Sequence, residues 1–300
     1  MKLRILLSLL LLAATAAAQP SAGWSAVDSA LGRKGSIQPG DVYKFALPRT
    51  DLHVTVGEVT LKPALALGGW LAFQADKTSC MAMGDLVVTE NEVPQVIHAA
   101  MPAHVEITAI HNHVAHETPR VMYMHVGGHF TGASGNAACV EAAKALKDVI
   151  AAAEIPAPST APPPPPAELG FDQAAVEKAL DAHGKVNGGV LQFGIPRAET
   201  ITMHGMTIPP SMGTATAINF QPVGQGRAAI TGDFVLTAGE VPKVMKALEA
   251  GGIAPTALHS HMLDEQPRLF FMHFWAIDDA AKLAVTLRKA LDQTNSVKPQ

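Results

Sequence analysis

Residues 111–125 read HNHVAHETPRVMYMH, and residues 259–273 read HSHMLDEQPRLFFMH. In each stretch a His-x-His pair is followed by a glutamate, a Pro-Arg dipeptide and a final Met-His. The same spacing of about 148 residues relates other short matches along the chain, which indicates an internal duplication. The clearest of these pair Pro48-Arg49 with Pro196-Arg197, Gly84-Asp85 with Gly232-Asp233, and Glu92-Val93-Pro94 with Glu240-Val241-Pro242.

The pattern around both stretches predicts the same order of elements in each copy. A short helix is followed by β-like runs bounded by Gly and Pro, a second helix, two further strands and a closing amphipathic helix. In the closing helix of the second copy, Leu283, Leu287 and Leu291 form one apolar stripe. We therefore predict an α+β fold of two homologous repeats, each an antiparallel sheet with helices packed on one face.

The two repeats lie between segments of a different character. Lys2 and Arg4, an apolar run and the small residues at 16–18 predict a signal peptide cleaved near Ala18, so the expected location is the periplasm or the exterior. The run of prolines at 162–166 predicts an extended spacer. The predicted organisation is thus a signal peptide over 1–18, a first α+β repeat over 19–153, a proline-rich linker over 154–169 and a second α+β repeat over 170–300.

Composition restricts the classes of partner. The formal net charge is −4 and no basic tract is present, which argues against nucleic acid. No segment of the mature chain is long and apolar enough to predict a membrane span. A small polar molecule or a cell-envelope component is the expected partner class, and the sequence does not predict the oligomeric state. Cys80 and Cys139 could pair in an oxidising compartment or stay as two buried thiols.

The histidines carry the chemistry that the sequence suggests. His111 and His113 stand two apart on a predicted strand, so their side chains share a face. A hairpin register that places Tyr123 opposite His111 brings His125 to the same face, whereas a slip of one residue turns it away. A single strand histidine is more often structural, but all of these recur in the second copy. The predicted metal ligands are His111, His113, Glu117, His125, His259, His261, Glu265 and His273.

Imidazole and carboxylate ligands suit a divalent transition metal, which could be Zn, Cu, Fe, Mn or Ni. We expect one cluster in each repeat. Three functions fit this pattern: an exported metal-binding protein, a metal-dependent, hydrolase-like envelope enzyme with Glu117 or Glu265 as general base, and a non-catalytic binding module with structural histidines. Neither a nucleophile elbow nor a phosphate loop occurs in the sequence.

The H-x-H…E-x-P-R…M-H repeat, the GD(L/F)V(V/L)T…EVP segment and the two-copy layout resemble the LppY/LpqO family. Members of that family are exported, duplicated bacterial proteins of unassigned function, and the likeness covers essentially the whole mature chain. The founding members are described as lipoproteins, whereas no cysteine follows the predicted cleavage site of this chain. The resemblance therefore implies export and a shared fold, and it implies neither a lipid anchor nor an activity.

Overall fold

The structure is a computed structural model that describes residues 23–159 and 168–298. The predicted signal peptide and residues 160–167 of the predicted linker lie outside the described residues. The first repeat contains α1 (Trp24–Leu31), β1 (Ser36–Gln38), β2 (Val42–Pro48), β3 (Thr55–Val56), β4 (Val59–Thr60), α2 (Pro63–Ala66), β5 (Gly68–Asp76), β6 (Ser79–Thr89), α3 (Val93–Ala100), β7 (Glu106–His111), β8 (Glu117–Thr118), β9 (Val121–Thr131) and α4 (Gly135–Ala152).

The second repeat follows the same order with small differences. It contains α5 (Gln173–Leu180), β10 (Lys185–Asn187), β11 (Val190–Pro196), β12 (Thr202–Met203), β13 (Met206–Thr207), a 3-10 turn (Pro210–Met212), β14 (Ala215–Gly224), β15 (Arg227–Leu236), α6 (Val241–Ala250), β16 (Ala254–His259), β17 (Phe270–Asp279) and α7 (Ala280–Leu291). The 3-10 turn stands where the first repeat has α2.

Each repeat forms one six-stranded antiparallel sheet. The strand order is β1-β2-β5-β6-β9-β7 in the first repeat and β10-β11-β14-β15-β17-β16 in the second. One face of each sheet is covered by the helices of its own repeat, because alternate residues such as Leu86, Met124 and Val126 pack with α4 in a single buried cluster. In the second repeat, one face of the sheet packs in the same way against α7. The predicted α+β class, with two repeats and helices on one face of each sheet, is confirmed.

The other faces of the two sheets pack against each other, which the sequence did not predict. Buried clusters on this side combine residues of both repeats, for example Tyr123 with Val190 and Met83 with Phe271. The molecule therefore has four layers, with helices outside and two sheets inside. A region between two packed sheets is normally apolar, so polar side chains there need partners of their own.

Short arms from each repeat hold the two sheets together. The Gln192 side chain donates to the carbonyl oxygen of Ala64 in α2 over 2.6 Å. In the opposite direction, the Lys44 ammonium donates to the carbonyl oxygen of Ser211 in the 3-10 turn over 2.8 Å. Lys44 and Gln192 occupy matching positions on β2 and β11. The two repeats therefore contact each other through equivalent bonds, which are related by a pseudo-two-fold axis.

The recurring Pro-Arg and Glu-Val-Pro segments form a buried ion pair in each repeat. Arg49 is 1% exposed, and it contacts Glu92 at 2.7 Å and Asp51 at 2.8 Å. Glu92 also accepts a hydrogen bond from the backbone N–H of Thr89, and the helix α3 begins directly after Glu92.

A disulfide joins Cys80 on β6 to Cys139 on α4, with a Cα–Cα distance of 5.0 Å. It fixes the longest helix of the first repeat to the centre of its sheet. Among the described residues, no helix combines the length and the apolar character that a membrane crossing requires.

Candidate metal centre

The strand register brings the predicted histidines to the inner face of each sheet. His111 on β7 pairs with Tyr123 on β9, and His259 on β16 pairs with Phe271 on β17. This is the register that the sequence analysis required. The strands β7 and β16 end at His111 and His259, so His113 and His261 lie just beyond them, where continued strands had been predicted. Their rings nevertheless join the same cluster.

Because the inner faces meet, the histidines of both repeats gather in one chamber. The ring centroids are 3.5 Å apart for His111 and His259, and 3.8 Å apart for the two crossed pairs, which are His113 with His273 and His125 with His261. The crossed pairs are equivalent under the pseudo-two-fold relation. The structure therefore unites the two clusters that the sequence analysis assigned to separate repeats.

All six rings carry a nitrogen without a hydrogen bond. The Nε2 atoms of His111, His113, His125, His259, His261 and His273 are buried without a hydrogen bond, as is Nδ1 of His259. Three of the rings are hydrogen-bonded to the backbone: Nδ1 of His111 contacts the Asn112 carbonyl at 3.1 Å, Nδ1 of His273 contacts the Gly232 carbonyl at 2.7 Å, and His125 has a backbone hydrogen bond to Gly84. Buried polar atoms in native proteins are rarely left unsatisfied.

Burial keeps these imidazoles neutral. It lowers the pKa of His111 to about 4, against a weaker opposing effect of the Asn112 carbonyl. Burial, and after it the proximity of the other rings, lowers the pKa of His113 and His261 well below the ordinary histidine value. A neutral ring has a free lone pair, which is the form in which histidine binds a metal.

Two carboxylates that were not among the predicted ligands also face the chamber. Asp85 pairs across the sheet with His125, and its Oδ2 lies 3.8 Å from Nε2 of His113. Asp233 pairs with His273, and its Oδ2 lies 3.2 Å from Nε2 of His261. Each aspartate thus lies beside the final histidine of its own repeat and the second histidine of the His-x-His pair. The recurrence of Gly-Asp in both copies was the signal that could have identified them.

The protonation of the aspartates follows from their surroundings. Burial, together with the nearby Asp233 carboxylate, raises the pKa of Asp85 to about 8, although the Lys44 ammonium opposes the shift. Burial raises the pKa of Asp233 to about 6. One oxygen of each carboxylate has no hydrogen-bond partner. A cation in the chamber would satisfy these oxygens and favour their ionised form.

The two predicted glutamates lie elsewhere. Glu265 accepts a hydrogen bond from the backbone N–H of Leu269 over 2.8 Å and pairs with Arg268 at 3.3 Å. Glu117 lies on β8, which pairs with β3, and one of its oxygens is buried without a partner. Neither glutamate belongs to the groups of donor atoms found among the described residues. Their role as general bases stays a prediction.

A β-bulge in each sheet connects the chamber to the opposite repeat. The register between β7 and β9 shifts at Thr108, and the Thr108 hydroxyl donates to the carbonyl oxygen of His261. The matching bulge at Thr256 directs its hydroxyl to the carbonyl oxygen of His113. A bulge is a common means of redirecting a side chain beside a functional site. Each His-x-His segment is therefore held by the other repeat.

Among the described residues, the donor atoms form three groups, and within each group all atoms lie within 4.8 Å of one another. The groups are His111, His125, His259 and His261; His111, His113 and His273; and Asp233, His261 and His273. Imidazole with carboxylate is a donor set that suits divalent transition metals. A narrow cavity of about 30 Å³ borders His125 and His261, with Met83, Met203 and Met262 on its walls. It has room for one or two water-sized molecules.

Comparison with known proteins shows which family the sequence belongs to and little about function. No curated protein sequence matches the chain. Two solved structures are similar: the trimeric bacterial microcompartment shell protein PduB, with 11% identity, a TM-score of 0.21 and coverage of 85% of this chain and 88% of that one, and EtuB from Clostridium kluyveri, with 12% identity, a TM-score of 0.19 and coverage of 86% and 90%. These TM-scores are too low to support an argument. A family model described as Domain of Unknown Function (DUF1259) matches residues 25–151 and 174–293, and the chain therefore belongs to that family.

Proposed function

We propose that this chain is an exported protein that binds divalent transition metal in the chamber between its two repeats. The observation that supports the proposal is the set of six buried Nε2 atoms without partners. Leaving that many polar atoms unsatisfied in a core would cost several kcal/mol, at about 1–3 kcal/mol for each. Coordination to a metal would give each of these six Nε2 atoms a bonding partner.

The donor chemistry narrows the class of metal. Neutral imidazoles with two carboxylates favour Zn, Cu, Fe, Mn or Ni over the oxygen-seeking Mg and Ca. Donors of both repeats lie together in the chamber. The proposed metal centre is therefore shared between the repeats, whereas the sequence predicted one cluster in each. A bound cation would supply Lewis-acid polarisation to a molecule that reached it.

Three observations support export. The basic and apolar start of the sequence has the form of a signal peptide, and the likeness to the exported LppY/LpqO proteins covers the mature chain. The Cys80–Cys139 disulfide suits an oxidising compartment. The periplasm or the exterior is therefore the proposed location.

A second candidate is a metal-dependent enzyme that acts on a very small molecule. The cavity beside His125 and His261 supports it, since it borders donors of the chamber. Its volume of about 30 Å³ does not suit an envelope polymer as a substrate. The non-catalytic binding module with structural histidines is the alternative to both, and it requires hydrogen-bond partners that the six Nε2 atoms lack.

Elemental analysis of the exported protein, purified without chelators, tests the proposal. We expect a transition metal in the native protein, a lower melting temperature after its removal, and recovery when it is restored. The variant His259→Leu should carry less metal, whereas the control His183→Leu should not, because the His183 side chain is 96% exposed and away from the chamber. Native protein without metal, and a melting temperature insensitive to added cations, would rule the proposal out.

A further inference from the structure

The arrangement of the donors specifies how many cations the chamber takes. Two donor atoms of one ion are at most about 4.2 Å apart when each lies about 2.1 Å from it. None of the groups found among the described residues holds more than four of the six histidines within 4.8 Å. A single cation therefore cannot collect all six rings in their present positions.

One group supplies enough donor atoms for a site of its own. His111, His125, His259 and His261 bring four donor atoms within 4.8 Å of one another, which is the number that closes a tetrahedral site. Two of these histidines come from each repeat. We call this group the four-histidine position.

The remaining donors are unlike the first set. The Nδ1 of His111 is engaged with the Asn112 carbonyl, so this ring has one free donor atom and serves one ion. With His111 in the four-histidine position, His113 and His273 are left, and their rings are 3.8 Å apart. Asp233 shares a donor group with His273, and Asp85 lies 3.8 Å from Nε2 of His113.

We infer that the chamber binds two divalent transition-metal cations in two unlike positions, the four-histidine position and a mixed position formed by His113, His273 and an aspartate. The inference rests on the proposed function. Each position draws on both repeats, so neither belongs to one copy of the duplication. Two cations also match the two aspartates, each of which has an oxygen without a partner.

The two positions differ in chemistry. Four neutral imidazoles suit a closed site that holds its metal firmly. Two imidazoles with a carboxylate leave coordination positions open and suit a harder cation such as Mn or Fe. We assign structural holding to the four-histidine position and ligand exchange to the mixed position.

Cobalt titration into metal-free, full-length protein tests the inference. We expect two equivalents to bind, and elemental analysis after removal of free cobalt should agree. His125 belongs only to the four-histidine position, and His113 belongs only to the mixed position. The variants His125→Leu and His113→Leu should therefore each retain one equivalent of cobalt. The visible spectrum distinguishes them, because the intense absorption of tetrahedral cobalt should persist in His113→Leu and disappear in His125→Leu.

Double variants separate this arrangement from one cation per repeat. His113→Leu/His125→Leu takes one residue from each proposed position and should bind none, whereas one site per repeat would leave the second repeat loaded. The double variant His125→Leu/His261→Leu removes two of the four ligands of the four-histidine position and none of the mixed position. It should therefore retain one equivalent. Circular dichroism establishes that each variant is folded.

The stoichiometry of the unaltered protein decides the question even where a variant fails to fold. Two equivalents support the inference. One equivalent, or more than two, overturns it and leaves the proposed function standing. No bound cobalt overturns the proposed function, and the inference with it.

Discussion

Replacing His259 by leucine should have opposite effects on the metal-free and the metal-loaded protein. Both ring nitrogens of His259 are buried without a hydrogen-bond partner. Burial, and after it the charges of neighbouring rings, lowers the pKa of His259 far below the ordinary value, so the ring stays neutral. A neutral ring has one N–H group and one lone pair, and the metal-free protein satisfies neither of them.

The size of the effect follows from these two groups. Each unsatisfied buried group costs about 1–3 kcal/mol, and leucine of similar volume removes both. Imperfect packing of the new side chain lowers the free energy of unfolding by up to about 1.5 kcal/mol. We expect a net rise of about 2 kcal/mol in the free energy of unfolding of the metal-free protein. With an unfolding entropy of about 2.1 cal/mol/K per residue, that corresponds for a chain of this size to a melting temperature about 3–4 °C higher.

With metal bound, the unaltered protein should be more stable than His259→Leu. A ligand present at 100 times its dissociation constant stabilises the folded state by about 2.7 kcal/mol. The unaltered protein should gain this stabilisation, and His259→Leu should lose the share that depends on a complete four-histidine position. The two melting curves, measured with chelator and with excess Zn²⁺ or Co²⁺, should therefore change places.

His273→Leu is the matched control. Nδ1 of His273 bonds to the Gly232 carbonyl over 2.7 Å, so leucine there relieves one unsatisfied nitrogen but removes an existing bond. Its gain in the metal-free protein should be smaller than that of His259→Leu. A metal-free His259→Leu protein that is less stable than the parent, with an unchanged response to metal, would show that His259 has a structural role and refute the reasoning.

Three further outcomes follow from contacts elsewhere. Reduction of the Cys80–Cys139 disulfide, which spans 59 residues, should lower the free energy of unfolding by about 4 kcal/mol; a double Cys→Ala variant should not respond to reductant, and equal melting temperatures with and without reductant would contradict this. Arg49→Met leaves the Glu92 carboxylate buried without its counter-ion and should cost about 3–5 kcal/mol in urea denaturation, less when combined with Glu92→Gln; a loss below 1 kcal/mol would argue against the pair. Thr256→Val removes the hydroxyl bond to the His113 carbonyl and should weaken cobalt binding at the mixed position about fivefold, as one hydrogen bond of about 1 kcal/mol implies; equal weakening of both positions would contradict the assignment.

The repeat, the fold class and the hairpin register could be predicted because each leaves a local trace in the sequence. The pairing of His111 with Tyr123 depends on the nine residues that connect β7 to β9, and it places His125 on the inner face by alternation alone. The short helix α2 was missed because four residues carry little periodicity. Its position is fixed by contacts with the other repeat, such as the bond from Asn219 to the Leu65 carbonyl.

The aspartates and the shared chamber depend on contacts that no local pattern specifies. Asp85 reaches His125 because β6 lies beside β9 in the sheet, although about 40 residues separate them along the chain. The glutamates were chosen as ligands because they stood close to the histidines in sequence. In the structure Glu265 bonds to Leu269 and Arg268 in the turn after His261, and its role as a ligand stays a prediction.

The duplication itself explains how so many unsatisfied donors can persist in a core. Alone, each repeat would expose the inner face of its sheet, and its three histidines would meet water. Docking of the two faces buries apolar residues from both, and the crossed bonds of Thr108 and Thr256 fix the His-x-His segments as it does so. The desolvation of the six rings then opposes docking, and a cation bound as proposed, by donors of both repeats, would offset that cost. The proposed metal binding would therefore be coupled to the association of the repeats, and removing the metal should loosen the contact between the two sheets before it disturbs either helix-covered core.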